Sequence, residues 1–465
     1  MSGIANILSI ASQSMWASQT GIEVASNNIS NMNTPGYVKQ GLQLNSRSPV
    51  MSNGLIMGRG VEVSSISMVQ DRFLDFQMYN SKMDLGYAKS RAYGMSNLEE
   101  IFNESNSDGL SKTMADFFSS IQDLSSAPEG QSPRVSLVGQ ASILINQFHT
   151  MYNRIDQVRD SQNRNVRGDV DSINILAKQI NEINKKIPGM ESSSNIAADL
   201  RSTRNNLMDE MAELIDYTYF EDGDGMVNIM VGGSRPLVEG GEISRLVTVG
   251  NADGYWDVSY EDGNGRRTDI TSSIDGGSLG GALQIRDVEA TRLMDDINEI
   301  AFQMSTAFNN VHRGGVGLNG NTGLDFFVQL ADATDAAKLI TLNPNIENDV
   351  DNIAASLSGE PGDNVNALNL AKVESTLLFN GGASDFKGYY GGVITRVGSE
   401  AQNVTREFDT QEAVNEQIAG LRESLTGVSM EEEMASLMKY QYVFQASARL
   451  YNIVDEMTRI IANLK

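Results

Sequence analysis

Three short stretches carry residues whose types and spacing could do chemistry. Asp222-Gly223-Asp224-Gly225 sets two carboxylates two residues apart, as a calcium loop does, but Met226 takes the next ligand position and no Glu closes the loop, so it reads as a turn. Gly276-Gly277-Ser278-Leu279-Gly280-Gly281 leads into a helical pattern like a phosphate-cradling loop, yet lacks the Lys and Ser/Thr that hold phosphate and metal. A hinge is the better reading of those glycines. His312, followed by Arg313-Gly314-Gly315, offers a lone imidazole base. No nucleophile or second acid–base group lies at readable spacing, so it reads as part of a turn that closes a helix.

The wider inventory points the same way. The 465 residues hold no Cys and 2 His, which removes disulfides, thiolate nucleophiles and Cys-ligated metal and leaves little for a transition metal. No catalytic residue, cofactor site or metal ligand is expected, and the chain is not expected to be an enzyme. Its 22 Met mark adaptable packing. With 60 Asp+Glu against 35 Lys+Arg the net charge is −25 and the pI about 4.5, a balance that does not supply the clustered cations nucleic acid requires. No run of 18 apolar residues is present, so no membrane insertion is expected. A hydrophobic content of 40% over this length supports several domains with real cores.

The elements that would position side chains are mostly helical. Ile4, Leu8, Ala11, Met15, Ser18, Ile22, Ala25 and Ile29 form a heptad seam on a helix of roughly 39 Å, whose polar face is Ser, Asn, Gln and Thr. From Met1 to Val38 the only charge is Glu23, and Lys39 is the first cation. A Sec-type signal needs a positive start, so export would take another route. A neutral hydroxyl and amide face suits packing against copies of itself in a crowded assembly. The helix should stop within Asn27-Asn28-Ile29-Ser30-Asn31-Met32-Asn33, with Thr34-Pro35-Gly36-Tyr37 forming a type II turn.

The other end mirrors the first. Tyr440, Val443, Ser447, Leu450, Val454, Met457, Ile461 and Leu464 make a second seam, on a helix starting near Met430 and reaching roughly 52 Å. Glu431, Glu432 and Glu433 sit in its first turn, where they favour the helix dipole. The two terminal helices should pair and bring the termini together. Ordering costs offset most of what such seams bury, so both ends are expected to fold on assembly.

Between the ends, Val166, Val170, Ile173, Ala177, Ile180, Asn184 and Ile187 close at Pro188-Gly189 on a helix reaching back towards Ser132-Pro133. Asn195 to Leu214 gives another helix, and Ala282 to Val311 a third, with Leu293, Ile297, Ile300, Met304 and Phe308 on one side. From Tyr217 to Gly281, alternating runs separated by Gly-rich turns read as a small β insert. The fold class is therefore mainly α with an inserted β domain: long terminal coiled-coil helices, a helical bundle rod and a small antiparallel β domain. The expected division is 1–40 plus 430–465 for the terminal coiled coil, 41–216 plus 282–327 plus 366–429 for the rod, 217–281 for the insert and 328–365 for an irregular excursion.

Asn27 to Gln40, NNISNMNTPGYVKQ, closely resembles the N-terminal signature of bacterial flagellar rod, hook and hook-associated proteins, in which Asn27, Asn28, Asn31, Asn33, Thr34, Pro35, Gly36 and Tyr37 carry the match. Gly427 to Met457 resembles the C-terminal element of the same axial family. Three inner segments, Asp199 to Tyr217, Gly276 to Asp287 and Phe308 to Phe327, resemble its hook-associated branch at the hook–filament junction. Val38 stands where that family usually has a basic residue.

The resemblance implies a structural role between hook and filament, required for filament assembly, with a hook or distal rod subunit as the alternative. It implies that the terminal helices line an export channel, the bundle forms an outer tube and the β insert faces solvent. It also implies self-association in a ring or helical layer, contacts with the flagellar hook protein and a second hook-associated junction protein, and delivery unfolded through the flagellar type III apparatus to the extracellular flagellum. A cytoplasmic export chaperone would hold the C-terminal helix; the seam suggests Leu437, Tyr440, Phe444, Leu450 and Val454 for that contact. Two other classes compete: a wall hydrolase acting through His312, and an adhesin acting through the insert. The acidity belongs to the middle, since Ser436 to Lys465 carry four positive and two negative charges.

Overall fold

The computed structural model describes residues 2–34, 36–52, 55–104, 109–191 and 196–463. Pro35, Asn195 and Leu464 lie outside the described residues. The uncharged start is one helix, α1 (Ser2–Asn31). After the Thr34–Tyr37 turn come β1 (Gln40–Ser46), β2 (Val50–Ser52), β3 (Leu55–Met57) and β4 (Val61–Met68), with β1 antiparallel to β4 and β2 to β3. Residues 40–68 are thus a two-stranded arm, a correction to the helical rod expected from residue 41. Val61-Glu62-Val63-Ser64-Ser65-Ile66-Ser67 explains it, because β-branched and hydroxyl residues fit a pleated surface and offer no helical stripe.

The body begins with α2 (Arg72–Phe102), capped by the Asp71 carboxylate, which accepts from the Phe73 and Leu74 N–H groups. Next come α3 (Leu110–Ser126) and α4 (Gln131–Met190), a 60-residue helix about 90 Å long with Pro188 in its last turn. α5 (Ala198–Leu214) leads into β5 (Tyr217–Glu221), β6 (Val227–Val231), β7 (Arg235–Glu239) and β8 (Glu242–Ile243), a four-stranded sheet in sequence order. β9 (Arg245–Gly250), β10 (Trp256–Glu261) and β11 (Arg267–Asp269) form a second sheet with β10 in the centre. The chain continues through α6 (Gly277–Gln284), a π turn at Ile285–Glu289 and α7 (Ala290–His312). The third helix read from the sequence is therefore two helices with a π turn between them. Residues 328–365 hold only short turns, including α8 (Ala336–Leu339) and α9 (Pro344–Asn348). Then follow α10 (Val365–Lys372), α11 (Phe386–Thr426) and α12 (Met430–Asn463).

Two hydrophobic cores are threaded on α4. Its first half sends Leu137, Leu144, Phe148 and Ile155 into a core with Phe117, Phe308, Phe326 and Phe327. Its second half sends Val166, Val170, Ile173 and Ala177 into a core with Met208, Ile229, Leu237 and Val258. The β insert therefore shares a core with the helices along one side and leaves Phe220, Ile243 and Val249 exposed. Its Val227, Ile229 and Val231 are buried in that core, and Asn184 of α4 ties down the Val227 backbone, donating to its carbonyl at 2.7 Å and accepting from its N–H at 3.1 Å.

Between the cores lies a polar belt. The fully buried Arg286 donates to Asn163 Oδ1 at 2.9 Å, to the Trp256 carbonyl at 2.8 Å and to both Asp287 carboxylate oxygens. The glycines read as a hinge are held tightly. A Cβ on Gly277, whose φ is +67°, would stand 2.3 Å from the Ile215 nitrogen, and one on Gly281 would stand 2.7 Å from the Tyr87 carbonyl oxygen. Those glycines permit close crossing of α6 over its neighbours, which a hinge would not need.

Candidate assembly site at the paired termini

α1 and α12 run antiparallel, and small residues let them approach. Ala11, Ala17, Ser18, Val24, Ala25 and Asn28 are buried on α1. A Cβ added to Gly21 would lie 2.8 Å from three ring carbons of Tyr440, so the tyrosine fills the place where a side chain is missing. Seven residues to either side, Ser447 Oγ donates to Ser14 Oγ at 2.8 Å and Asn28 Nδ2 donates to Glu433 Oε2 at 3.0 Å.

The signature residues gather around this end of the pair. Tyr37 OH donates to Asn28 Oδ1 at 3.0 Å and accepts from Asn27 Nδ2 at 3.4 Å. Burial, with Asp199 and Glu433 nearby, pushes the phenol up to about 12, so it stays protonated and remains a donor. Asn31 Nδ2 donates to the Asn27 carbonyl and side-chain oxygens, and Thr34 N–H donates to the Asn31 carbonyl at 2.9 Å. Gly36 has φ +68°, and Tyr37 N–H donates to the Thr34 carbonyl at 3.1 Å, closing a turn. A Cβ on Gly36 would fall 1.6 Å from Asn206 Oδ1 of α5, so the turn is pressed onto the body. Asn33 is exposed.

Val38 is buried and Lys39 takes the ionic contacts. Its ammonium lies 2.8 Å from Glu432 Oε2 and 3.1 Å from Glu433 Oε1, and the hydrogen bond to Glu432 raises its pKa. Its backbone N–H donates to the Thr426 carbonyl at 2.9 Å, and Gln40 Nε2 donates to Asp199 Oδ1 at 2.8 Å. Arg422, reaching Asp75 Oδ1 at 3.2 Å and Asp209 Oδ2 at 2.9 Å, ties the end of α11 to α2 and α5 beside the turn.

The sequence seams are distributed unevenly. On α1, Ala11 and Ala25 are buried, and Ile4, Leu8, Met15, Ile22 and Ile29 are half-buried. α1 also faces the arm, with Asn6 Nδ2 donating to the Gly58 carbonyl at 3.4 Å. On α12, Val454 is buried and Leu437 and Tyr440 are half-buried, while Val443, Phe444, Leu450, Met457 and Ile461 range from 37% to 53% exposed. In the single chain these ends are paired helices. What remains unsatisfied is their outward face.

Sequence reasoning placed Glu433 only as a partner of the helix dipole and missed the facing of Gly21 with Tyr440. The seven-residue spacing of Ser14, Gly21 and Asn28, matched by Glu433, Tyr440 and Ser447, was the available signal. His312 is completely buried at the end of α7, far along the body. Its Nε2 accepts from the Ala354 N–H at 3.0 Å, which leaves Nδ1 to donate to the Leu324 carbonyl at 2.7 Å, and burial pulls its pKa down to about 4. It fastens two loops to the helix end. Asp222 Oδ1 accepts from the Asp224 and Met226 N–H groups, an ordinary Asx turn.

Comparison with known proteins agrees with this division. Residues 95–327 match the family model described as flagellar hook-associated protein FlgK helical domain. The chain belongs to the FlgK family of flagellar hook-associated proteins. The ends match more general models: residues 8–37 match flagella basal body rod protein, and 424–464 match flagellar basal body rod FlgEFG protein C-terminal. Two relatives are called flagellar hook-associated protein 1. One, from Bacillus subtilis, is 26% identical over 98% of this chain and 97% of its own. The other, from Escherichia coli, is 24% identical over 99% of this chain and all of its own. The fold resembles the flagellar hook junction protein FlgK from Burkholderia pseudomallei, with a TM-score of 0.69 at 14% identity, covering 75% of this chain and all of that one. The FlgK-specific match thus falls on the body, and the general axial matches fall on the paired termini.

Proposed function

We propose that the chain is a structural subunit of the bacterial flagellum that forms the junction zone between hook and filament and is required for filament assembly. The observation that carries the assembly mechanism is the terminal pair: two long helices docked by polar and small residues, with an apolar stripe left open on α12. An exposed stripe of that length is stabilised by neighbouring subunits. Copies would associate in a ring or helical layer through it, with the hook protein on one side and a second hook-associated protein on the other. Its place would be the extracellular flagellum, reached through the flagellar type III apparatus.

A cytoplasmic export chaperone would have to hold α12 before pairing, because Val454 and Tyr440 turn towards α1 afterwards while Phe444 and Leu450 stay open. The test is position. Labelled protein in one narrow band between hook and filament is the expected result, and long tubes built from it would favour the hook or distal rod reading instead.

A further inference from the structure

The apolar seams of α1 and α12 repeat every seven residues, so on their own they also fit after a shift of one heptad, about 10 Å along either helix. Three contacts do not tolerate that shift: Asn28 with Glu433, Gly21 with Tyr440, and Ser14 with Ser447. Moving α12 one way would put the Tyr440 ring on the buried Asn28 amide and carry Glu433 past Asn31, the end of α1. Moving it the other way would put Glu433 against Gly21 and Tyr440 against Ser14, away from the glycine that makes room for its ring.

Asn28 is the most committed of these residues. Its Oδ1 accepts from the Gln40 N–H and from Tyr37 OH, both at 3.0 Å, and its Nδ2 donates to the Gln40 carbonyl at 2.9 Å and to Glu433 at 3.0 Å. The first three partners are fixed by the local chain. The fourth comes from 405 residues away, and without it a fully buried N–H loses its acceptor. Glu433 in turn is held by Lys39. A buried, charge-bearing polar pair inside a heptad helix seam is the device that best specifies register.

We infer that Asn28 and Glu433 are the positioning pair that sets the register of the terminal helices, with Asn28, Tyr37, Lys39 and Gln40 serving as the receptor for the first turn of α12. Register decides which exposed residues of α12 stand beside which residues of α1 on the face offered to a neighbouring copy. It builds on the junction reading in that respect, but it is a property of one chain and is measured on one chain, so either can fail without the other.

The natural absence of Cys allows a clean test in the full-length protein. Ser14→Cys with Ser447→Cys reads the native register, and Ser14→Cys with Val454→Cys reads a shift of one heptad. With no other change, mild oxidation should crosslink the first pair at least about tenfold more than the second. Adding Asn28→Val with Glu433→Leu, which keeps an apolar seam, should lower that ratio about tenfold, and adding Glu433→Gln, which keeps an oxygen for Asn28, should hold it within about twofold. An unchanged ratio in the Val/Leu variant would assign register to the covalent link between α11 and α12 and overturn the proposal. So would equal loss of both crosslinks at unchanged helix content, or a Gln variant that falls as far as the Val/Leu one.

Discussion

α4 and α12 are both long helices with an unbroken heptad pattern, yet they end in opposite situations. On α4 the row Val166, Val170, Ile173, Ala177, Ile180, Asn184 and Ile187 is buried throughout, and even Asn184 is satisfied, donating to the Val227 carbonyl at 2.7 Å and accepting from the Val227 N–H and Arg204. On α12 the row Val443, Leu450, Met457 and Ile461 stays exposed. The same periodicity describes a stripe the chain covers itself and a stripe left for others. What separates them is whether sheets and helices from the middle of the sequence fold back onto the stripe.

The sharpest break in that comparison is truncation. Removing Tyr440 to Lys465 should leave the body folded, seen as an unchanged cooperative melt of the two α4 cores, and abolish junction assembly. Normal filaments in such a mutant would contradict the division of labour. A core change should do the reverse. Phe308, whose ring lies 4.8 Å from that of Phe326 and 5.4 Å from that of Phe117, is fully buried. Phe308→Ala should cost about 3–5 kcal/mol in urea unfolding of the monomer.

Acid should also act on the body. An unfolded imidazole titrates near 6.5, whereas folded His312 titrates at about 4, so the unfolded state binds more protons between those values. The stability is fully present above about pH 6.5 and is lost as pH falls towards 4, by up to about 3 kcal/mol, in a manner that His312→Gln should flatten. Denaturant titrations at pH 7 and pH 4.5 compare the two proteins. The smallest effect on the monomer should come from α12, where Leu450→Ser should change unfolding by less than about 0.5 kcal/mol while filament assembly falls sharply. A large monomer cost there would mean that the stripe already has a partner within the chain.

Legibility followed the same divide. The long helix ending at Pro188-Gly189, the buried row from Leu293 to Phe308 and the strands at Val227–Val231 and Trp256–Tyr260 could all be read, because periodicity and turn residues report which face of a local element is apolar. The arm at residues 40–68 was missed because its short strands carry Ser, Gln and Gly in place of a strong alternation. The tight glycines at 277 and 281 were misread because a missing side chain looks alike in a hinge and in a close crossing, and only the neighbouring backbone tells them apart. At the candidate site, both seams and the signature were visible, but the pairing of Asn28 with Glu433 was not. Periodicity names a face and says nothing of what lies opposite it.

The uninterrupted length of α4 has a mechanical consequence. Because one helix anchors both cores, a small rotation at one end is converted into a displacement at the other: a tilt of about 5° over its roughly 90 Å moves the far end by about 8 Å. The belt around Arg286 and Asn163, where the π turn of the neighbouring helix falls, holds the helix at the boundary between the two cores.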